Sequence, residues 1–174
     1  TIQRKNGDGI QYRITTGRTG SLPGEIRGPA PNPVSIILDT IGVRHCKASE
    51  KFVPDTYKWN TIDVRIGVLR GLCDTDGTIY GSSGSTCAFS TVSARLASDV
   101  IFLVRSLGGY AVSTVHKRTN VPAPGGIVKN PLPIHVVTFG IPINPFRCSR
   151  KASAWAPRWR KKTKSIVDIE ARPT

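Results

Sequence analysis

The most informative stretch of this 174-residue sequence is Leu69-Arg70-Gly71-Leu72-Cys73-Asp74-Thr75-Asp76-Gly77. Its first residues continue an apolar stripe at helical spacing, which is formed by Ile62, Ile66, Leu69 and Cys73. A stripe of this period is typical of one face of an amphipathic helix. The pattern therefore predicts a helix that is capped by Asn60 and ends at Gly77, where glycine allows a sharp turn.

Two features of this helix are not explained by helix formation alone. Gly67 and Gly71 lie one turn apart and share a face, although each costs about 1 kcal/mol relative to alanine. They indicate that another backbone approaches closely there. The helix also ends in Asp74 and Asp76, and a carboxylate at a helix C-terminus opposes the dipole. A function for Asp76 is therefore favoured over the alternative of an ordinary turn acid.

The residues on either side of this helix predict an α+β unit. Ser93 can cap a second helix whose stripe is Leu96, Val100, Leu103 and Leu107. Strands are predicted at residues 10–15, 78–80, 86–92, 110–118 and 134–139, with helices at residues 34–41 and within 147–164. From Asn60 the order is helix, two strands, helix, two strands, helix. An antiparallel sheet with helices on one face leaves its other face available for a partner.

The charge of the chain is strongly positive, with 25 Lys and Arg against 11 Asp and Glu, a net charge of +14. Between Val100 and Val167 the sequence contains no acid at all, but it contains many basic residues. Such a field attracts polyanions, and nucleic acid is the favoured partner. A solvated basic face and a tail on an anionic membrane are the alternatives; a membrane span is not expected, because the central apolar run 100–104 is far shorter than the roughly 20 residues required.

The cysteines and the N-terminus give weaker information. Cys46, Cys73, Cys87 and Cys148 have no spacing typical of a zinc site, so reduced thiols in a cytosol are expected. The first residues do not resemble a signal peptide, and no initiator Met precedes Thr1. We expect the chain to start inside a longer protein.

The nine-residue stretch resembles the signature of the LAGLIDADG homing endonucleases. Lys51-Phe52-Val53-Pro54 is similar to the Lys-x-Ile-Pro segment of the intein-associated members. Further similar segments, in the same order as in those enzymes, are 89–93, 96–97, 104–108, 145–151 and 164–170. The resemblance implies three regions: residues 1–50 as the closing part of a preceding repeat, 51–164 as an endonuclease repeat with a basic tail, and 165–174 as a strand that leads back toward a splicing domain.

The resemblance also implies a catalytic centre that this chain does not complete alone. Asp76 matches the family acid that holds Mg²⁺, and Lys51 and Lys151 match the lysines that reach the shared centre, although Arg150 could replace Lys151 in this role. Plain surface lysines are the alternative for both. Since only one motif is present, a second must come from a missing upstream segment or a second copy of the chain. Residues for self-splicing are absent, so the chain should not splice.

The sheet of the family lies in the major groove of double-stranded DNA, where base edges carry a distinguishable pattern. Because side chains alternate along a strand, Tyr80 and Ser82 should point the same way. The residues expected to contact DNA are Tyr80, Ser82, Thr91, Thr114, His116, Lys117, Arg118, Lys129, Thr138 and Arg150, with the basic ones placed on phosphates. A slip of one residue in register would reverse the face assignment, and His116 could simply fill a strand position.

The sequence thus supports a Mg²⁺-dependent endonuclease of double-stranded DNA, located in the cytoplasm of a bacterial, archaeal or phage-infected host. A second hypothesis is a DNA- or RNA-binding protein that uses the same scaffold without cutting, as maturase-like and regulator-like relatives do. A third is a basic ribosome-associated structural protein. The acid at Asp76 argues against the third more strongly than against the second.

Overall fold

The computed structural model describes residues 2–5, 11–14, 32–80, 86–123 and 126–156. Its elements in chain order are β1 (Ile2–Lys5), β2 (Gln11–Ile14), α1 (Pro33–Thr40), α2 (Asp55–Lys58), α3 (Ile62–Asp76), β3 (Gly77–Tyr80), β4 (Thr86–Thr91), α4 (Ala94–Ser106), β5 (Tyr110–His116), β6 (Val121–Ala123), β7 (Gly126–Val128), β8 (Ile134–Gly140) and α5 (Ser149–Ala154).

The centre of the fold is an antiparallel four-stranded sheet in the order β3-β4-β8-β5. Both α3 and α4 contact β4, and α4 also contacts β5 and β8. Together with α5, these elements form the predicted αββαββα series, so the α+β class is confirmed. Two small hairpins are added: β1 pairs with β2, and β6 pairs with β7 between β5 and β8.

The strand register divides the sheet into two different faces, because partners across an antiparallel ladder point the same way. On one face Phe139 stands opposite both Cys87 and Ala111, and all three are buried. On the other face Thr138 stands opposite Ala88 and Val112. We call the first the helix-side face and the second the open face.

The core forms where α4 covers the helix-side face. The predicted stripe of α4 is confirmed, since Leu96, Val100, Leu103 and Leu107 are all buried. Ser93 caps this helix as predicted, and its Oγ accepts a hydrogen bond from the Leu96 amide at 3.1 Å. The thiols of Cys73 and Cys87 are free and buried in the same core. Burial raises the pKa of both, that of Cys87 to about 12, so both thiols are neutral at ordinary pH.

Local details differ from the sequence predictions at the helix starts. The residue that caps α3 is Thr61, which makes no side-chain capping bond, whereas Asn60 Oδ1 accepts from the Thr61 amide at 2.8 Å. The predicted cap at Asn60 is therefore wrong. At α1 the N-cap is Asn32, whose Oδ1 accepts from the Val34 amide at 3.0 Å.

Candidate nucleic-acid interface and catalytic centre

The carboxylate of Asp76 lies at the exposed C-terminal end of α3. The next residue, Gly77, is buried and already belongs to β3, so no loop separates the helix from the strand. A Cβ atom at Gly77 would lie 2.5 Å from the Cys73 carbonyl oxygen, closer than packing allows. Glycine is required here for close approach, since the backbone of Gly77 is ordinary extended chain. This junction fixes the acid directly beside the sheet.

The two acids of the motif are held differently. Asp74 Oδ1 accepts hydrogen bonds from the backbone amides of Arg147 at 2.9 Å and Cys148 at 3.0 Å, which begin the turn into α5. Asp76 has one long contact, 3.4 Å from the Thr75 hydroxyl to its Oδ2. Asp74 therefore joins α3 to α5, while the carboxylate of Asp76 remains accessible.

Lys151 reaches the same end of α3 from α5. Its ammonium donates to the carbonyl oxygens of Cys73 at 2.9 Å and Asp74 at 2.7 Å. The Cys73 carbonyl also accepts from the Gly77 amide at the end of the helix, and a positive charge there complements the helix dipole. Lys151 is thus half-buried and bound to backbone oxygens, whereas its neighbour Arg150 is exposed.

Lys51 is exposed, and its backbone is held by α4. The Ser93 hydroxyl donates to the Lys51 carbonyl oxygen at 2.6 Å. Two residues further on, the Val53 amide donates to Asp99 Oδ2 at 2.8 Å. Between them, the Arg95 guanidinium lies 4.0 Å from the centre of the Phe52 ring, a cation–π contact. The path of the Lys51 segment is therefore set by three side chains of the first turns of α4.

Asp99 is a buried acid that also binds a lysine. Its Oδ1 lies 2.8 Å from Lys58 Nζ, and Asp55 Oδ1 lies 2.9 Å from the same nitrogen. The hydrogen bonds that Lys58 donates to Asp99 and, second, to Asp55 raise the pKa of Lys58, and Lys58 in turn lowers the pKa of Asp55. This ion pair ties α2 to α4. This ion pair could not be predicted from the sequence, because the two partners are 41 residues apart.

The glycine face of α3 has no neighbour among the described residues. A Cβ atom added at Gly67 or Gly71 would meet nothing within 4 Å. The predicted close approach of another backbone is therefore not made by residues 32–80, 86–123 or 126–156. An apolar groove of about 360 Å³ opens beside Val68 and Leu72 of the same helix and extends to Phe52 and Val43.

Four residues predicted to contact DNA lie on the open face of the sheet. The register aligns Tyr80, Thr114, His116 and Thr138 with the partners that point away from α3 and α4. The Thr114 hydroxyl lies 3.2 Å from His116 Nε2, so these two side chains are joined along β5. The structure brings these residues onto one surface; what they bind remains a prediction.

Thr91 is an exception, because the register places it on the other face of the sheet. It pairs with His135 in the ladder and so belongs to the helix-side face with Phe89. Its hydroxyl accepts from the Ser93 amide at 3.1 Å, which shapes the turn into α4. The face of Thr91 could not be read from the sequence, because Cys87, Ala88 and Phe89 are all apolar and β4 shows no alternation of polar and apolar residues.

The remaining predicted contacts lie at the margins of the sheet or outside the described part of the chain. Lys117 and Lys129 are exposed, one directly after β5 and the other after β7. Arg118 donates to the Leu132 carbonyl oxygen at 3.1 Å and so binds the connection before β8. Ser82 lies outside the described residues, as do residues 157–174, which include the predicted final strand.

Sequence comparisons identify the class of domain. Residues 63–126 match the model of the LAGLIDADG-like domain. This match covers α3, the first two strands of the sheet, α4 and β5, which are the elements that carry Asp76 and most of the open face. The chain therefore contains a LAGLIDADG-like domain at residues 63–126.

Two curated relatives are similar over a larger part of the chain. A replicative DNA helicase DnaB of Mycobacterium intracellulare is 34% identical over 137 residues, which are 76% of this chain and 22% of that protein. A replicative DNA helicase DnaB of Nostoc sp. is 35% identical over 101 residues, which are 56% of this chain and 11% of that protein. The chain thus spans about a fifth or less of the length of these relatives.

Two other kinds of feature are not found in the described residues. No group of three or more His, Cys, Asp or Glu side chains within them could hold a metal ion. None of the helices in the described ranges is long and apolar enough to cross a bilayer.

Proposed function

We propose that this chain is part of an intein-associated homing endonuclease that hydrolyses double-stranded DNA at a specific site. Asp76 would supply one carboxylate of a paired catalytic centre. The second would come from another motif, carried either by an upstream segment or by a second copy of the chain. The similar proteins are replicative helicases, and only a small part of each is matched. An intein carried within a helicase would be matched in this way, which supports an intein origin.

The observation that carries this proposal is the pairing of an accessible acid with an uncovered helix face. Asp76 is exposed at the end of α3, and one turn earlier Gly71 leaves room for a second backbone. A second α3-type helix packed on Gly67 and Gly71 would bring its own terminal acid beside Asp76. Two carboxylates at one centre are what a metal-dependent nuclease requires.

The chemistry of Asp76 fits Mg²⁺, which binds one or two carboxylates and takes its remaining ligands from water and substrate phosphate. A bound Mg²⁺ stabilises charge on the attacking and leaving oxygens of a phosphodiester during hydrolysis. Asp74 cannot share this role, because its oxygens are occupied by the Arg147 and Cys148 amides.

The basic residues take different parts in the proposal. Lys51 is exposed and would stabilise the phosphate charge at the centre. Lys151 is the second predicted lysine, but its bonds to Cys73 and Asp74 favour a role in holding the α3 terminus, with Arg150 as the phosphate contact. Lys117, Arg118 and Lys129 would bind phosphates beside the open face and fix its register.

The catalytic role of Asp76 is tested by cleavage of a target-containing plasmid. Asp76→Asn should cut on the order of 100-fold more slowly or worse, because it removes one charged ligand, while duplex binding remains. Asp63→Asn is the matched control, since Asp63 is an exposed acid at the other end of the same helix. Equal cutting by the Asp76 variant and the wild type would reject the assignment.

Salt dependence tests the DNA-binding part separately. If about 6 to 10 phosphates are contacted, affinity should fall roughly 10³- to 10⁵-fold between 50 and 200 mM salt. A flat response would contradict binding by the basic residues.

A non-cleaving DNA- or RNA-binding protein is the second candidate. The motif offers a single accessible acid, Asp76, at the α3 terminus, which favours this function for the chain on its own. Tight binding without magnesium, with no cleavage in any state of assembly, would support this function over the nuclease.

A further inference from the structure

The open face of the sheet carries no charged side chain at its described positions, although the chain as a whole is strongly basic. It also carries no Asn or Gln. Its members are Thr78, Tyr80, Thr86, Ala88, Ser90, Tyr110, Val112, Thr114, His116, Ile134, Val136, Thr138 and Gly140. The sequence that joins β3 to β4, residues 81–85, consists of Gly and Ser alone.

Most side chains of this face carry hydroxyl or methyl groups. One row across all four strands consists of Thr78, Ala88, Thr138 and Val112, of which Ala88 is fully buried. The next row contains Ser90, Val136 and Thr114. Val112 is 59% exposed and stands at the edge of the first row. The positive charges of Lys117 and Lys129 lie beyond the strand ends and do not interrupt these rows.

Each base presents a different set of groups in the major groove. Guanine is most often read by the paired donors of Arg or Lys, and adenine by the amide of Asn or Gln. Neither kind of side chain is present at the described positions of the open face. Thymine differs from the other bases by its C5-methyl group, which is read by contact with methyl groups such as those of Thr and Ala.

From this face, and resting on the proposed binding of duplex DNA, we infer that the sheet recognises thymine methyl groups and that the base pairs beneath it are rich in A·T. Val112, Thr114 and Thr138 provide the methyl contacts. Their hydroxyl neighbours bond base edges in either direction, because a hydroxyl both donates and accepts. The phosphates are held by the basic residues at the margins, so affinity and base preference come from separate groups.

The first experiment identifies the preferred bases. The complete 174-residue chain is incubated with duplexes that contain a randomised segment, and the bound fraction is sequenced. Enrichment of A·T pairs over a continuous part of the segment is expected. Enrichment of G·C pairs, or a stronger binding to duplex RNA of the same sequence, overturns the inference.

The second experiment isolates the methyl group. Uracil replaces thymine throughout the selected duplex, which removes the C5-methyl and changes no hydrogen-bonding group. Affinity should fall about fourfold for each thymine methyl that the sheet would otherwise bury. Undiminished affinity for the uracil duplex overturns the inference.

Two variants assign the effect to the open face. Val112→Ser and Thr114→Ser remove methyl groups of the sheet. In each variant the loss of affinity on replacing thymine by uracil should be about fourfold smaller than in the wild type. Val115→Ser is the matched control, because Val115 lies on the same strand with nearly the same exposure, 57%, but on the helix-side face. An equal effect in all three variants overturns the inference.

Failure of the inference differs from failure of the proposed function. Salt-dependent binding to duplex DNA without base preference would end the inference and leave DNA binding intact. Absence of any binding to duplex DNA would end both.

Discussion

The two faces of the four-stranded sheet are made from the same strands but serve different ends. On the helix-side face Phe89, Val137 and Phe139 are at most 1% exposed and form the core with α4. On the open face Tyr80 and Val112 are more than half exposed. A buried and an exposed environment can thus lie one step apart along a strand, as Ala111, which is buried, and Val112, which is exposed, show. Substitutions of buried residues on the helix-side face should therefore lower the free energy of unfolding much more than substitutions of exposed residues on the open face.

The largest effect should come from the helix-side face. Phe139→Ala should lower the free energy of unfolding by about 3 to 5 kcal/mol, because it removes a fully buried ring and leaves a cavity. Tyr80→Ala makes a similar truncation on the open face and should cost about 0.5 kcal/mol or less. Urea denaturation measures both values. Similar losses of unfolding free energy in the two variants would contradict the difference between the faces.

The second prediction compares a buried acid with an exposed one. Asp99→Ala should cost about 2 to 3 kcal/mol, since it leaves the buried Val53 amide without an acceptor and the Lys58 ammonium with Asp55 alone. The loss stays below that of a fully buried ion pair because Lys58 is partly exposed and keeps its contact with Asp55. Asp63→Ala, an exposed acid on α3, should have little effect. Thermal unfolding followed by circular dichroism compares them; equal shifts in Tm would show that Asp99 contributes no more than a surface acid.

A third effect is smaller and concerns the start of α4. Ser93→Ala should cost about 1 to 2 kcal/mol, because it removes both the cap on the Leu96 amide and the bond to the Lys51 carbonyl. Amide exchange of Val53 should also become faster, since the Lys51 segment is held by the same turn. Ser98→Ala on the exposed side of α4 serves as the control. Unchanged exchange at Val53 would show that Ser93 does not hold this segment.

The smallest effect is a dependence on alkaline pH. Because the pKa of Lys58 is raised above its ordinary value of 10.5, its contribution to stability is complete below that value and is lost as pH rises through the higher folded-state pKa. The gap in unfolding free energy between the wild type and Lys58→Gln, about 1 kcal/mol or less, should be constant up to about pH 10 and then shrink. A gap that widens with pH would contradict this sign.

Much of the fold could be predicted because its signals are local. The stripe of α4, its cap at Ser93 and the hairpin of β3 and β4 follow from spacing that neighbouring residues define. The β6–β7 hairpin was missed because its strands have three residues each and one contains Pro122, which is rare inside a sheet. The single turn of α2 was missed because four residues show no periodicity.

The candidate site was predictable to a lesser extent. The end of α3 and the accessibility of Asp76 follow from the motif, and the glycine spacing follows from helix geometry. The bonds of Lys151 to Cys73 and Asp74 could not be read, because they join residues more than 70 positions apart. Nor could the face of Thr91 be assigned, since three consecutive apolar residues in β4 hide its alternation. Long-range partners and strand register are the information that a single sequence lacks.

The direct passage from α3 into β3 at Gly77 fixes the position of Asp76 relative to the sheet. Because no linker residue separates Asp76 from the first strand, the acid cannot shift along the sheet without moving the strand itself. In a nuclease built this way, the bond that is cut stands at a constant offset from the bases under the strands. A single loop residue inserted before Gly77 would loosen that offset and scatter the positions of the cuts.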